Sequence, residues 1–252
     1  MRNVSRIVVL LFILQPLWAQ AQTARTPVLV ELFTSEGCSS CPPADRLLSE
    51  LSSKQPVHEA DIVVLEEHVD YWDSLGWRDR FSSSLFTERQ RQYATRLNVD
   101  DPYTPQMVVN GKTQFVGNDS AKALAAIRTA AADQRIDLHL TSPVITPGKI
   151  TAAVSTSGKE KLPHGDLYAA LIEPAATTQV RAGENSGHTL NHVNVVRTLQ
   201  RIGSLQNLAN GPLAFTLSPP ADAQAHAARL VVFAQLSGQG EIQGVATTSI
   251  TP

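Results

Sequence analysis

From residue 27 the chain alternates short apolar runs with stretches of helical periodicity. Val28 to Phe33 is apolar except for Glu31, the pattern of a strand buried on both faces. Ala44, Leu47, Leu48 and Leu51 recur at three- and four-residue spacing, which predicts an amphipathic helix after Pro42-Pro43. Ile62 to Leu65 is a second β-branched run. Residues 78–97 predict a helix with Phe86, Tyr93 and Leu97 on one face, and Met107 to Val109 predicts a third strand. Asn110-Gly111 signals a tight hairpin into a fourth strand over Lys112 to Val116. Asn118-Asp119-Ser120 then caps a last helix with Leu124, Ile127 and Ala131 facing inward.

From about Ile136 the period changes to two. Ile136, Leu138 and Leu140 alternate with polar residues, as do Ile150, Ala152 and Val154, then Leu167, Ala169 and Leu171, then Leu230, Val232, Ala234 and Leu236. Gly, Pro, Ser and Asn clusters separate these runs, which predicts an all-β sandwich. The expected organisation is an α/β domain over residues 22–134 and a β-sandwich domain over residues 135–252. Residues 1–21 fall outside both. Arg2 and Arg6 precede an apolar run from Ile7 to Leu14, and Ala19-Gln20-Ala21 supplies the small residues of a cleavage site, the pattern of a secretory signal peptide. That run is short for a membrane span. The mature chain is expected to be periplasmic or secreted, with no stable membrane insertion after signal cleavage.

Charge narrows the partners. The chain carries 21 Lys and Arg against 23 Asp and Glu, a formal net charge of −2. No basic stripe interleaves with aromatics, so nucleic acid is not an expected partner. The only two cysteines are Cys38 and Cys41. A bridge between them closes almost no loop and adds little chain-entropy stabilisation, so reactivity explains the pair better than stapling. Strand, Cys-x-x-Cys, helix sets the thiols at a helix N-terminus, where unpaired N–H groups and a partial positive charge favour thiolate. Pro42 disfavours a helical Cys41, so the helix is expected to begin at Pro42 with Cys41 as its cap. Three readings of the pair stay open on these grounds: a redox dithiol, half of a zinc site, or an inert disulfide. No second cysteine pair completes a zinc site, and His188 and His192 read as surface residues, so no metal or cofactor is expected.

Tyr103-Thr104-Pro105-Gln106 stands just before the third strand and its Asn-Gly turn. Together with Cys38-Ser39-Ser40-Cys41 and the βαβ–ββα order, it makes residues 27–133 similar to the thioredoxin superfamily. The resemblance implies that Thr104-Pro105, with its proline cis, lies against a redox-active Cys38–Cys41 disulfide. It also implies that Glu31 is the buried acid that moves protons for the resolving cysteine; the alternative is a strand-end Glu reaching solvent. Longer stretches resemble a narrower family, the exported thioredoxin-like proteins grouped as domain of unknown function 1223. These are Leu32 to Asp45, His68-Val69-Asp70-Tyr71-Trp72 through Trp77, and Gly183-Glu184-Asn185-Ser186-Gly187 followed by Asn194-Val195-Val196. That resemblance implies a thioredoxin-like domain followed by a β-sandwich domain, and it supplies no known reaction.

The expected function is that of a thiol–disulfide oxidoreductase, with Cys38 attacking, Cys41 resolving and Pro105 shaping the groove for a protein or small-molecule thiol or disulfide. His68, Asp70 and Trp72 would form a rim beside the dithiol; the alternative makes the aromatics core anchors and Asp70 or Asp73 a helix cap. Glu184 and Asn185 would fold over the dithiol; the alternative is a plain hairpin. Two other functions remain: a copper carrier using both cysteines and His68, and a non-enzymatic binding module.

Overall fold

Strand β1 (Thr26–Thr34) lies inside a sheet because both of its faces are apolar and both are covered. Strand β2 (Ala60–His68) runs parallel to it, with Thr26 opposite Ala60 and Thr34 opposite His68. On the other side β3 (Gln106–Val109) runs antiparallel, with Gln106 opposite Phe33. The turn from β3 into β4 (Thr113–Val116) uses Asn110 at φ 50° and Gly111 at φ 64°, the left-handed pair that a tight hairpin requires. Asn110 also accepts a hydrogen bond from the Leu29 N–H at 2.8 Å, which ties the turn to β1. The structure, a computed structural model, describes residues 25–158, 161–220 and 229–250. The signal peptide expected over residues 1–21 lies outside the described residues.

Helices α1 (Pro42–Lys54) and α3 (Ser120–Ala131) cover the sheet face that carries Val28, Val30, Leu32, Ile62, Val64, Met107 and Val109. Asp119 caps α3 by accepting from the Lys122 N–H. Helix α2 (Ser84–Arg96) covers the opposite face, with Phe86 against Leu29, Val63 and Leu65. It is shorter than the predicted 78–97. Ser83 is its cap, and Asp79 takes the Phe81 N–H, so the segment before Ser83 turns instead of coiling. The cap is therefore neither Asp70 nor Asp73.

The second half of the chain is β-structure. Strands β8 (Gly165–Gln179) and β9 (Thr189–Ser204) form a long antiparallel hairpin, and β11 (Arg229–Leu236) and β12 (Ile242–Ser249) extend it past β8. Strand β9 lies parallel to β2, with Val195 opposite Glu66. The result is one eight-stranded mixed sheet in the order β12-β11-β8-β9-β2-β1-β3-β4. A second, antiparallel sheet joins β10 (Leu213–Leu217), β7 (Lys149–Thr156) and β5 (Leu138–Leu140), with β6 (Val144–Thr146) paired to β7. Its Ile150, Ala152 and Val154 pack on Leu167, Ala169, Leu171, Leu230, Val232 and Ala234 of the large sheet, as alternation predicts. The periodicity did not reveal that β8, β9, β11 and β12 continue the sheet of the first half. Among the described residues, no helix is long and apolar enough to cross a membrane.

Candidate functional site at the dithiol

The chain leaves the C-terminal end of β1 through Ser35 to Ser40 and enters α1. Cys38 and Cys41 are joined as a disulfide, and both are 0% exposed. Cys41 is the helix N-cap and Pro42 and Pro43 follow it, as the sequence requires, although the Cys41 backbone itself is helical at φ −77°, ψ −38°. The donors expected at this helix end are missing. The two prolines have no N–H, and the Ala44 and Asp45 N–H groups both go to the Cys41 carbonyl at 2.8 and 3.1 Å. The side-chain partner of Cys38 Sγ is the Ser40 hydroxyl at 3.3 Å.

Pro105 stands where β3 begins, and its peptide bond with Thr104 is cis. Gly117 lets it approach the helix: a Cβ there would lie 2.7 Å from Leu32 Cδ1, 3.0 Å from Ala44 Cβ and 3.2 Å from Pro105 Cβ. Trp72 donates its indole N–H to Thr104 Oγ1 at 2.8 Å, and its Cβ lies next to Gly37. Trp72 thus joins the dithiol loop to the Pro105 loop. Asp70 is occupied elsewhere, accepting from the Thr87 hydroxyl at 2.5 Å.

The turn between β8 and β9 covers the dithiol loop. Glu184 accepts from the Ser39 N–H at 3.1 Å and from the Ser39 hydroxyl at 2.7 Å. Asn185 is buried and donates to the Glu36 carbonyl at 2.9 Å and the Cys38 carbonyl at 3.0 Å. Gly183, at φ +74°, packs against Trp77 and Gly76, so the aromatic segment and the covering turn support each other.

Beneath the loop lies a buried polar cluster that sequence reasoning caught only in part. Side chains alternate along a strand, so Glu66 and His68 share the α1 face with Ile62 and Val64, and Thr34 shares it with Val30 and Leu32. His68 Nδ1 donates to Asp79 Oδ2 at 2.6 Å, and its Nε2 lies 3.5 Å from Glu66 Oε1. His192, on β9, donates from Nδ1 to Glu66 Oε1 at 2.7 Å, and its Nε2 lies 3.4 Å from Glu36 Oε1. His192 is therefore a core residue at 2% exposure, which corrects the surface reading; His188 is exposed. The signals available were alternation with buried Leu190 on β9 and the two-residue spacing of Glu66 and His68 on β2.

The cluster sets the ionisation of its members. Burial works against charge on both histidines, but the carboxylates prevail: Asp79 and Glu66 hold His68 well above the usual range, and Glu36 and Glu66 hold His192 up at about 9. Burial likewise disfavours charge on Asp79 and Glu66, yet the histidines hold both below the usual carboxylate value. Asp45, one turn into α1 from Cys41, accepts from the Thr34 hydroxyl at 2.7 Å. Burial, reinforced by the Glu66 charge, pushes Asp45 up to about 7.

Glu31 lies on the other face, with Leu29 and Phe33, away from α1. It does not reach solvent. It accepts from Arg89 Nε at 2.6 Å and from the Tyr93 hydroxyl at 2.6 Å. Arg89 also donates to Gln235 on β11 at 3.1 Å. Burial, with the Glu31 charge nearby, holds Glu67 well above the usual carboxylate range.

Residues 29–235 match the family described as "Protein of unknown function (DUF1223)". A crystal structure of a protein from Agrobacterium tumefaciens is similar over 89% of this chain and 94% of that chain, at 26% identity and a TM-score of 0.66. A β-glucosidase structure from Kluyveromyces marxianus, at 11% identity and a TM-score of 0.23, is matched over 64% of this chain and 17% of that chain, a score too low to indicate a shared fold. No curated protein matches the chain.

Proposed function

The chain belongs to the DUF1223 family, and we propose that it is a thiol–disulfide oxidoreductase of an exported compartment, acting through Cys38 and Cys41 in a thioredoxin-like unit. One observation carries the reading: the chain's two cysteines are bridged at the junction of β1 and α1, beneath a turn held by side-chain hydrogen bonds. The order β2-β1-β3-β4, with α1 leaving the end of β1, supports a thioredoxin-like unit over residues 22–134. In this reading residues 135–252 are the second unit, joined to the first through the β9–β2 pairing, and its β8–β9 turn covers the dithiol loop. The leader pattern of residues 1–21 and the Cys38–Cys41 disulfide both fit export.

In the exchange, the Cys38 thiolate attacks one sulfur of a substrate disulfide, and the other substrate sulfur leaves as thiolate. Cys41 loses its proton and attacks Cys38 in the mixed disulfide, which releases the reduced substrate and restores the Cys38–Cys41 bond. The pair has then given up two electrons, which a thiol donor returns. Asp45 is the acid carried by α1 itself, one turn from Cys41, and with a carboxyl near neutrality it suits proton exchange with Cys41. Glu31 is bound to Arg89 on the opposite face. With no N–H on Pro42 or Pro43, few donors remain for a thiolate beyond the Ser40 hydroxyl, 3.3 Å from Cys38 Sγ, so the thiolate gains less from this helix end than from an ordinary one. A weakly stabilised reduced form places the pair toward the reducing end of the dithiol range.

The test combines a redox titration with trapping. Alkylation and intact mass in thiol–disulfide buffers should show a two-electron transition, and Cys41→Ser should accumulate a mixed disulfide through Cys38. The full burial of both sulfurs favours a second reading, a locked structural disulfide. Sulfurs that stay unalkylated after mild reduction, with no catalysed reduction of insulin, would establish that reading and remove the first.

A further inference from the structure

We propose that Glu66, His68 and His192 form a buried site for one divalent first-row transition-metal ion, separate from the dithiol and held without any cysteine. The three residues come from two strands, β2 and β9, that touch only in the folded chain. One ligand atom from each lies within 4.8 Å of the others. For a metal bound at about 2.0–2.2 Å, neighbouring ligand atoms stand roughly 3–4 Å apart; His68 Nε2 and Glu66 Oε1 are already 3.5 Å apart, and His192 Nδ1, hydrogen-bonded to Glu66 Oε1 at 2.7 Å, must draw back by under about 1 Å to admit the ion.

The atoms left over point to a ligand. His68 Nε2, in a side chain with no exposure, has no hydrogen-bond partner and is aimed at Glu66. His192 Nε2 and Glu36 Oε1 are likewise buried without hydrogen-bond partners, 3.4 Å apart. Polar atoms in a protein interior are rarely left so, and three within one cluster call for an explanation.

A metal at the inner nitrogens accounts for the outer ones. With His68 Nε2 on the ion, its Nδ1–H keeps its 2.6 Å bond to Asp79. With His192 Nδ1 on the ion, the proton it donates to Glu66 is released to solvent and its Nε2–H faces Glu36 Oε1. Each ligating histidine then has a carboxylate behind it, the arrangement that fixes tautomer and ring orientation around bound metals. Asp79 is itself fixed by the Glu36 and Phe81 N–H groups at 2.9 Å, and Glu36 Oε2 accepts from Trp77 Nε1 at 2.7 Å. The ion pairs of His68 run to Glu66 and Asp79, and those of His192 to Glu36 and Glu66. Two imidazoles and one carboxylate suit zinc(II), iron(II) or manganese(II), and they leave coordination positions open.

The experiment uses the full exported chain with its disulfide intact, stripped with chelator and titrated with zinc(II), with bound metal measured by mass spectrometry. One equivalent should bind. His192→Gln should abolish that binding, and Asp79→Asn should weaken it roughly 10–100-fold. Circular dichroism checks that each variant is folded. Cys38→Ser/Cys41→Ser should bind as tightly as the parent, and its cobalt(II) form should show no thiolate charge-transfer band. Absence of binding to the oxidised protein would overturn the proposal. So would retention of binding in folded His192→Gln, or binding that requires reduction and vanishes in the double cysteine variant. Because the oxidised protein is used, these outcomes are independent of whether the dithiol turns over.

Discussion

If the covering turn gates the dithiol, loosening it should speed reduction by a measurable factor. Asn185→Ala is the sharpest perturbation. It removes the two hydrogen bonds that the Asn185 amide donates to the Glu36 and Cys38 carbonyls, at 2.9 and 3.0 Å. A net hydrogen bond contributes about 1 kcal/mol, so the closed state loses about 2 kcal/mol relative to the open one. At about 1.4 kcal/mol per factor of ten, the open population rises roughly 30-fold. Both sulfurs are 0% exposed, so a small reductant meets them only in the open state. When reclosing outpaces attack, the reduction rate follows that population. The assay is reduction by dithiothreitol at several concentrations, with alkylation quenching and intact mass, under conditions where a urea curve shows the variant folded. The rate should stay proportional to reductant and rise by about that factor. Glu184→Ala, which removes exposed contacts to Ser39, should act in the same direction and more weakly. A rate within twofold of the parent for Asn185→Ala would show that the turn does not gate the disulfide.

Two further predictions concern buried charge. Arg89→Met leaves Glu31 without its cation and cuts the link from α2 to Gln235, so urea unfolding should show a loss of about 3–5 kcal/mol, of which Glu31→Gln in the same background restores part; a loss below about 1 kcal/mol contradicts this account. Asp45 should make the protein less stable as pH rises. Its carboxyl goes from the ordinary 3.8 to about 7 on folding, so the folded state binds the proton more tightly and the penalty is absent below pH 3.8, grows between, and is full above about 7, with a ceiling of roughly 4 kcal/mol. Asp45→Asn removes it, so the variant should gain in thermal stability over the parent at pH 8 and not at pH 4; an equal difference at both pH values refutes the assignment.

Much of the site was legible before the fold. Cys38 and Cys41 are the chain's whole cysteine content, and their place between an apolar run and a helical pattern needs no tertiary information. The proline pair after Cys41 announced where α1 begins. What it also removes, the free N–H groups of the first turn, follows from the same two residues once the hydrogen bonds of Ala44 and Asp45 are traced. Asp45 carries no signal in the sequence, because a polar residue in a first helical turn ordinarily faces solvent. Here Thr34 and the packing of α1 on β1 bury it.

Local periodicity by itself marked β1 to β5, β7, β8 and β11, the bodies of the three helices and the Asn110-Gly111 hairpin, but it did not mark β6, β9, β10 or β12 and it began α2 six residues early. The marked elements depend on which side of an element is apolar, and the residue order records that directly. The pairing of β9 with β2 was decided only in three dimensions, because ladder hydrogen bonds join backbone to backbone and leave little trace in side-chain type. That pairing brings His192 to Glu66 and His68, and it carries the β8–β9 turn over the cysteines. The side of the sheet that receives Glu31 was decided there too. Val28 to Phe33 is apolar on both faces, and only the seating of α1 on the face of Val30 and Leu32 puts Glu31 opposite, against Arg89.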